Sequence, residues 1–302
     1  MTAAKSVRGA QLAALRPQPD LTDMPDVSSV EALMVELALG GRLEKTGLMA
    51  REHLQTGGKR LRARLALAGV YALGAPRSHG VAWAAAVELL HNATLIHDDI
   101  QDGDRLRRGE PTLWAVHGSE QAINAGDLLL MLPYLALERL PPDVVGPLSL
   151  AIASHAVETV RGQANEMGLL GEPDGLSWHA YERAILGKTG ALLALPVHGA
   201  ALIAGRSKRT AAELGNVFAQ LGLLFQLQDD VLDLYGQKGR DRVGSDLYEG
   251  KVSALVVAHL SQRPEDRDWL VKLLRTPREH TRTVDVLSAI DAFVDSGALA
   301  AI

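Results

Sequence analysis

Residues 95–109 read LIHDDIQDGDRLRRG and place four carboxylates, Asp98, Asp99, Asp102 and Asp104, within seven residues. Arg105, Arg107 and Arg108 follow at once. Residues four apart on an α-helix differ by only about 40° around the axis, so Asp98 and Asp102 share a face. They close an apolar helical run, where the helix dipole already disfavours anions. A solvated helix end is the simplest reading of one such cluster. The pattern returns, however, in QLQDDVLDLYG, with Asp229, Asp230 and Asp233 at the same spacing 131 residues on. Two DDxxD clusters facing each other would form an all-oxygen cage suited to Mg²⁺, which takes carboxylates supplemented by water and phosphate.

Cations recur in the same way. TGGKRLR places Gly57 and Gly58 before Lys59, Arg60 and Arg62. Glycines permit close backbone approach, helix N-termini attract phosphate, and Lys59 and Arg62 are spaced to share one helical face. Arg107 and Arg108 adjoin the first acid cluster, GKTG supplies Lys188 and Thr189, and SDLYEGK ends on Lys251 after the second acid cluster. Each alone reads as an ordinary surface charge. Together with two acid clusters they describe a site for diphosphates. His91 lies seven residues before Asp98, two turns up the same face. His97 beside Asp98 also matches the His-Asp dyad of metal phosphohydrolases, but that class leaves the second DDxxD and GGKRLR without a role.

These groups need long elements to hold them. The chain has 302 residues, 47% hydrophobic and 22% charged, with a formal net charge of −5. That balance argues against nucleic acid. There are no cysteines, which excludes thiolate nucleophiles, disulfides and zinc–thiolate sites. The first 28 residues, polar and proline-bearing, read as a flexible arm. From residue 29 to 302 the text is helical, with apolar residues at three- and four-residue spacing and Gly or Pro near the ends. No run alternates cleanly enough for a strand. The expected fold class is all-α, one large helical bundle with the most apolar segments, SHGVAWAAAVELLHNATLIH and LLALPVHGAALIAG, at its centre. The latter is broken by Pro196, His198 and Gly199 and reads as too short for an integral membrane segment. The charged last third reads as peripheral. A soluble, cytoplasmic protein is expected.

In this order the motifs GGKRLR, ELLHNATLIHDDIQD, RRG, GQ at 162–163, GKT, FQLQDD and DLYEGK resemble the trans-isoprenyl diphosphate synthase (polyprenyl synthetase) family, from about Gly57 to Lys251. The resemblance implies an isoprenoid synthase bundle, commonly homodimeric, with a deep central cavity. It implies Mg²⁺, three ions per site, on Asp98, Asp102 and Asp229 with Asp99, Asp230 and Asp233 in support. Arg107, Lys188, Thr189, Gln226, Arg242 and Lys251 match positions for the allylic diphosphate or its cation. Lys59, Arg62, His91 and Arg108 match the isopentenyl diphosphate site. Three positions depart from the family pattern: Ala63 where proline is common, Glu166 where aspartate is frequent, and Arg242 where lysine is usual.

The resemblance further implies head-to-tail condensation of isopentenyl diphosphate with an allylic diphosphate. In the family, bulky aromatics one turn before the first acid cluster stop growth early. Here Ala93 and Thr94 are small, with Leu90 beyond, and Met131 and Tyr134 are the expected floor. Geranylgeranyl diphosphate is the expected product, with farnesyl or longer products as alternatives. A terpene cyclase would not need GGKRLR, and a non-catalytic regulatory subunit of a prenyl synthase should have eroded acid clusters.

Overall fold

The computed structural model describes residues 26–236 and 243–302. Arg242 and residues 1–25 lie outside the described residues. The elements in order are α1 (Val27–Leu39), α2 (Lys45–Gln55), α3 (Leu61–Ala72), α4 (Arg77–Asp102), β1 (Leu106–Arg107), β2 (Glu110–Pro111), α5 (Leu113–His117), α6 (Ser119–Leu137) and α7 (Pro142–Gly168). Then come α8 (Trp178–Ile185), a wide π-type turn (Leu186–Gly190), α9 (Ala191–Ile203), α10 (Lys208–Tyr235), α11 (Ser245–Tyr248), α12 (Ala254–Gln262), α13 (Arg267–Leu274), α14 (Thr283–Asp295) and α15 (Ala298–Ala301). The all-α expectation holds. The first helix begins inside the segment expected to be an arm, at Val27.

Local chemistry sets the ends. The Ser177, Ser207 and Ser253 hydroxyls accept backbone N–H groups at the starts of α8, α10 and α12. Gly103, at φ 69°, ends α4 in the left-handed conformation directly after the first acid cluster. The α4 helix is apolar nearly all round and packs mainly on α6 and α3, then on α1 and α9. Its Trp83 is fully buried and donates from Nε1 to the Pro196 carbonyl at 2.8 Å. Gly199 makes this possible, since a Cβ there would fall 1.9 Å from the Trp83 ring.

The apolar residues form two clusters. One is built on α1–α4, α6, α7 and α9, the other on α8 and α12–α15 with contributions from α10 and α11. The continuous helical run Trp178–Ile203 is, by length and hydropathy, apolar enough to cross a membrane, longer than its prolines and glycines suggested. The π-type turn carries the helix through GKTG instead of ending it, and 72% of the apolar window is buried in the protein.

The RRG segment folds into a two-residue hairpin that the sequence did not announce. Arg107 pairs with Glu110, and the two central residues, Arg108 at φ 57° and Gly109 at φ 86°, are both left-handed. That is the geometry of a type I′ turn. Arginine is an uncommon residue for that conformation, so the turn holds Arg108 in a backbone state favoured by glycine.

Candidate active site

The first acid cluster meets three cations. Asp98 and Asp102 share a face of α4, as their spacing requires. Lys188 donates to Glu166 Oε2 at 2.5 Å and lies 3.5 Å from Asp98 Oδ1. Lys251 donates to Asp102 Oδ2 at 2.6 Å and pairs with Glu249 at 2.8 Å. Asp99 turns the other way and accepts from Arg107 at 2.6 Å. Burial works against the Lys188 and Lys251 ammonium groups, but the carboxylates around them outweigh it and hold both above the usual lysine range. Burial lifts Asp99 to about 6 despite Arg107. Gln163, the second residue of GQ, donates to Asp98 Oδ1 at 2.9 Å and to Gln101 at 2.8 Å. Gly162 lets α7 touch the wide turn, because a Cβ there would lie 2.0 Å from the Lys188 backbone nitrogen.

The second cluster divides its roles. Asp229 borders the cavity. Asp230 is buried, and accepts from the Tyr181 hydroxyl at 2.7 Å, the Ala254 N–H at 2.7 Å and Gln226 Nε2 at 2.9 Å. Burial raises it to about 7. Asp233 accepts the Asp246 N–H at 3.0 Å and fixes the start of α11. The Thr189 hydroxyl donates to Gln226 Oε1 at 3.2 Å, so the wide turn and α10 are tied together at the cavity wall.

On the opposite wall, Arg62 Nη1 donates to His91 Nε2 at 3.1 Å. Burial, then the Arg62 charge, pushes His91 well below the usual histidine range, so it is neutral. Burial lowers Arg62 to about 10. Arg62 Nε and His91 Nδ1 are buried without a hydrogen-bond partner, two nitrogens suited to an added acceptor. Arg108 donates from Nη1 to the Gly57 carbonyl. A Cβ on Gly58 would strike the Arg108 guanidinium at 2.7 Å, so the second glycine makes room for an arginine. The helical-face argument for Lys59 and Arg62 does not hold, since α3 starts only at Leu61 and Arg60 is left-handed at φ 48°. Both still reach the cavity.

These walls enclose one cavity of about 2110 Å³. It brings Lys59, Arg62, His91, Asp98, Arg107, Arg108, Lys188, Thr189, Gln226 and Asp229 together. Its apolar part is lined by Thr94 and Leu95 of α4, Leu130 of α6, Val160 of α7, Leu192 of α9 and Phe225 of α10. Of the five expected depth residues, only Thr94 faces it. Ala93 and Leu90 are closed within the core, and Tyr134 packs against that core. Met131 is 58% exposed while its neighbour Leu130 lines the cavity, the about 100° rotation between successive helical residues. Arg278, from the charged last third, also lines it and lies 3.4 Å from Asp104, so that region is not wholly peripheral. Sequence reasoning had passed over Tyr181 and Arg278, which carry no motif, and Glu249, which stands inside DLYEGK beside the Lys251 that drew attention.

Among the described residues no three His, Asp or Glu groups stand close enough to form a ready-made cage. That gives no support to the phosphohydrolase reading, and His97 pairs instead with Asp127 at 3.4 Å. The donor set nonetheless fits Mg²⁺. Asp98 and Asp229 present carboxylates to one cavity, and Mg²⁺ usually takes one or two carboxylates and leaves its other positions to phosphate and water.

A helical bundle whose two aspartate-rich motifs and two cationic groups share one deep cavity defines a diphosphate-handling synthase. The polyprenyl synthetase family model matches residues 45–291, and the chain belongs to that family. It is 37% identical over 260 residues to a short chain isoprenyl diphosphate synthase of Methanothermobacter thermautotrophicus, covering 84% of this chain and 78% of the relative. It is 38% identical over 252 residues to a farnesyl diphosphate synthase of Geobacillus stearothermophilus, covering 80% and 83%. A crystal structure of a geranylgeranyl pyrophosphate synthase superposes with a TM-score of 0.81 at 28% identity, covering 92% of this chain and 88% of that one. The protein is thus a trans-prenyltransferase that makes polyprenyl diphosphate, in a family that uses Mg²⁺.

Proposed function

We propose that this enzyme condenses isopentenyl diphosphate with an allylic diphosphate and releases geranylgeranyl diphosphate. The observation that carries the reading is the cavity in which carboxylates and cations share one space with apolar side chains. At about 2110 Å³ it exceeds the usual range of about 300–1000 Å³ for one small ligand, leaving room for two substrates. Thr94 is the small side chain on its α4 wall, which supports a product longer than farnesyl. Farnesyl diphosphate is the second reading, favoured by the Geobacillus relative.

In this account Asp98, Asp102 and Asp229 hold Mg²⁺, three ions in all, while Asp99, Asp230 and Asp233 brace them. Bound Mg²⁺ supplies charge neutralisation to the diphosphate. Arg107, Lys188 and Lys251 bind the allylic diphosphate, and Arg242 joins them from outside the described residues. Lys188 stabilises the charge that grows as the C–O bond breaks and the electron pair leaves with the diphosphate. Thr189 and Gln226 turn oxygen dipoles toward the allylic cation. Lys59, Arg62, His91 and Arg108 hold isopentenyl diphosphate, whose double bond attacks that cation. The released diphosphate takes the proton. The apolar lining limits the water that would trap the cation.

We also infer a cytoplasmic homodimer in which residues 29–302 form one isoprenoid synthase domain. Its support is the row of exposed apolar side chains on α6 and α7, including Met131, Leu135, Leu150 and Val157. The test is chromatography of products from purified protein, Mg²⁺, isopentenyl diphosphate and each allylic primer in turn. A twenty-carbon main product is expected, and a fifteen-carbon product from the five- and ten-carbon primers with no extension of farnesyl diphosphate would replace the reading with the second one.

A further inference from the structure

Arg60 stands in the middle of TGGKRLR and, like Glu88, borders the cavity, yet it is only 5% exposed and its guanidinium is engaged by three other helices. Its Nε donates to Glu31 Oε1 of α1 at 2.8 Å and its Nη2 to the Leu54 carbonyl of α2 at 2.5 Å. Its Nη1 lies 3.6 Å from Glu88 Oε1 of α4. Glu88 is 3% exposed, and its second oxygen accepts the Ala63 N–H at 3.1 Å. That N–H belongs to the first turn of α3, where no intrahelical acceptor exists. A proline at position 63 could not make the bond.

A buried carboxylate thus grips both sides of the α3 start, at Arg60 and at Ala63, and ties it to α4. His91 stands on the same helix one turn beyond Glu88 and meets Arg62 at 3.1 Å. Arg60 is also held in the left-handed region, which an arginine adopts only when its surroundings impose it. Lys59 before it and Arg62 after it receive their directions from that bend.

We propose that Arg60 and Glu88 are a positioning pair that sets the isopentenyl diphosphate subsite, acting through Lys59, Arg62 and His91. The inference rests on the condensation reading above for the identity of the ligand. It has a discriminating sign. Glu88 is an anion beside a cationic subsite, so if it acted only through its field, removing its charge would tighten binding of a diphosphate. A positioning role predicts weaker binding.

The test compares Glu88→Gln with the unmodified enzyme. Gln keeps the volume and an acceptor for Ala63 but loses the ion pair. The KM for isopentenyl diphosphate should rise about tenfold, the scale of one charged hydrogen bond. The KM for the allylic primer should stay within about twofold, since that subsite is built from other elements. Calorimetric titration with isopentenyl diphosphate should show the same loss. Glu31→Gln removes the outer, half-exposed partner of Arg60 and should raise the same KM about threefold with the fold intact, so it decides the matter if Glu88→Gln does not fold. Tighter or unchanged isopentenyl diphosphate binding, or a parallel rise in both KM values, would overturn the proposal. Absence of turnover in the unmodified enzyme would instead count against the condensation reading, and the calorimetric comparison would still judge the pair.

Discussion

Gly162→Ala should damage the site without touching a charged group. The added Cβ would sit 2.0 Å from the Lys188 nitrogen, 2.4 Å from the Gly187 carbonyl carbon and 2.8 Å from the Ala184 oxygen. All three are backbone atoms and none can rotate away. Ordinary contact at 3.4 Å requires α7 and the wide turn to part by about 1.4 Å. Overpacking of this kind costs about 1–3 kcal/mol, which for a domain of this size lowers Tm by roughly 5 °C. The larger effect is functional. Gln163 follows Gly162, and the separation pulls Gln163 and Lys188 off their common partner Asp98. A displacement near 1 Å at a reacting centre costs roughly a hundredfold in rate. Steady-state kinetics with both substrates saturating should therefore show kcat down about a hundredfold in a protein still folded by circular dichroism. A kcat within about twofold of the unmodified enzyme would refute the idea that this close approach sets the position of Lys188.

Asp98→Ala and Asp229→Ala should each lower kcat by about 10²–10³-fold or more while helicity is kept, the scale for one group that stabilises developing charge; full activity in either variant would remove that residue from the diphosphate clamp. Thr94→Phe should shorten the product by at least one five-carbon unit, about 5 Å of chain, whereas Met131→Ala should leave length unchanged, as product chromatography would show. His53 is buried and held neutral, chiefly by desolvation and then by Arg107, with its pKa down at about 3. Because the folded value lies below the unfolded value of about 6.5, its contribution to stability is whole above pH 6.5 and is lost as pH falls toward 3. Between pH 7 and pH 5 that loss is about 2 kcal/mol, read as a drop in unfolding free energy by urea titration that should vanish in His53→Leu.

Much of this was legible in the residues. Helical spacing put Asp98 and Asp102 on one face, and apolar runs put α4 and α9 at the centre, because burial on all sides leaves a direct mark on composition. The ordered motifs pointed to the family. What stayed hidden depends on how elements rotate against each other. Leu130 and Met131 are both apolar, and only packing decides which of them faces the cavity. Arg108 in a left-handed turn, and Gly58 as the space for its guanidinium, follow from a hairpin too short to alternate. Arg60 looked like one more phosphate ligand until Glu88, 28 residues away, was seen to hold it.

The central claim is that the two acid clusters and the cationic walls serve one cleavage, in which diphosphate leaves an allylic substrate as isopentenyl diphosphate attacks. Diphosphate release from the purified protein, followed with each substrate alone and with both, tests it most directly. The account predicts rapid release only when Mg²⁺, an allylic diphosphate and isopentenyl diphosphate are all present, one diphosphate per five-carbon unit added. No release under those conditions, or equal release from the allylic substrate alone, would contradict it.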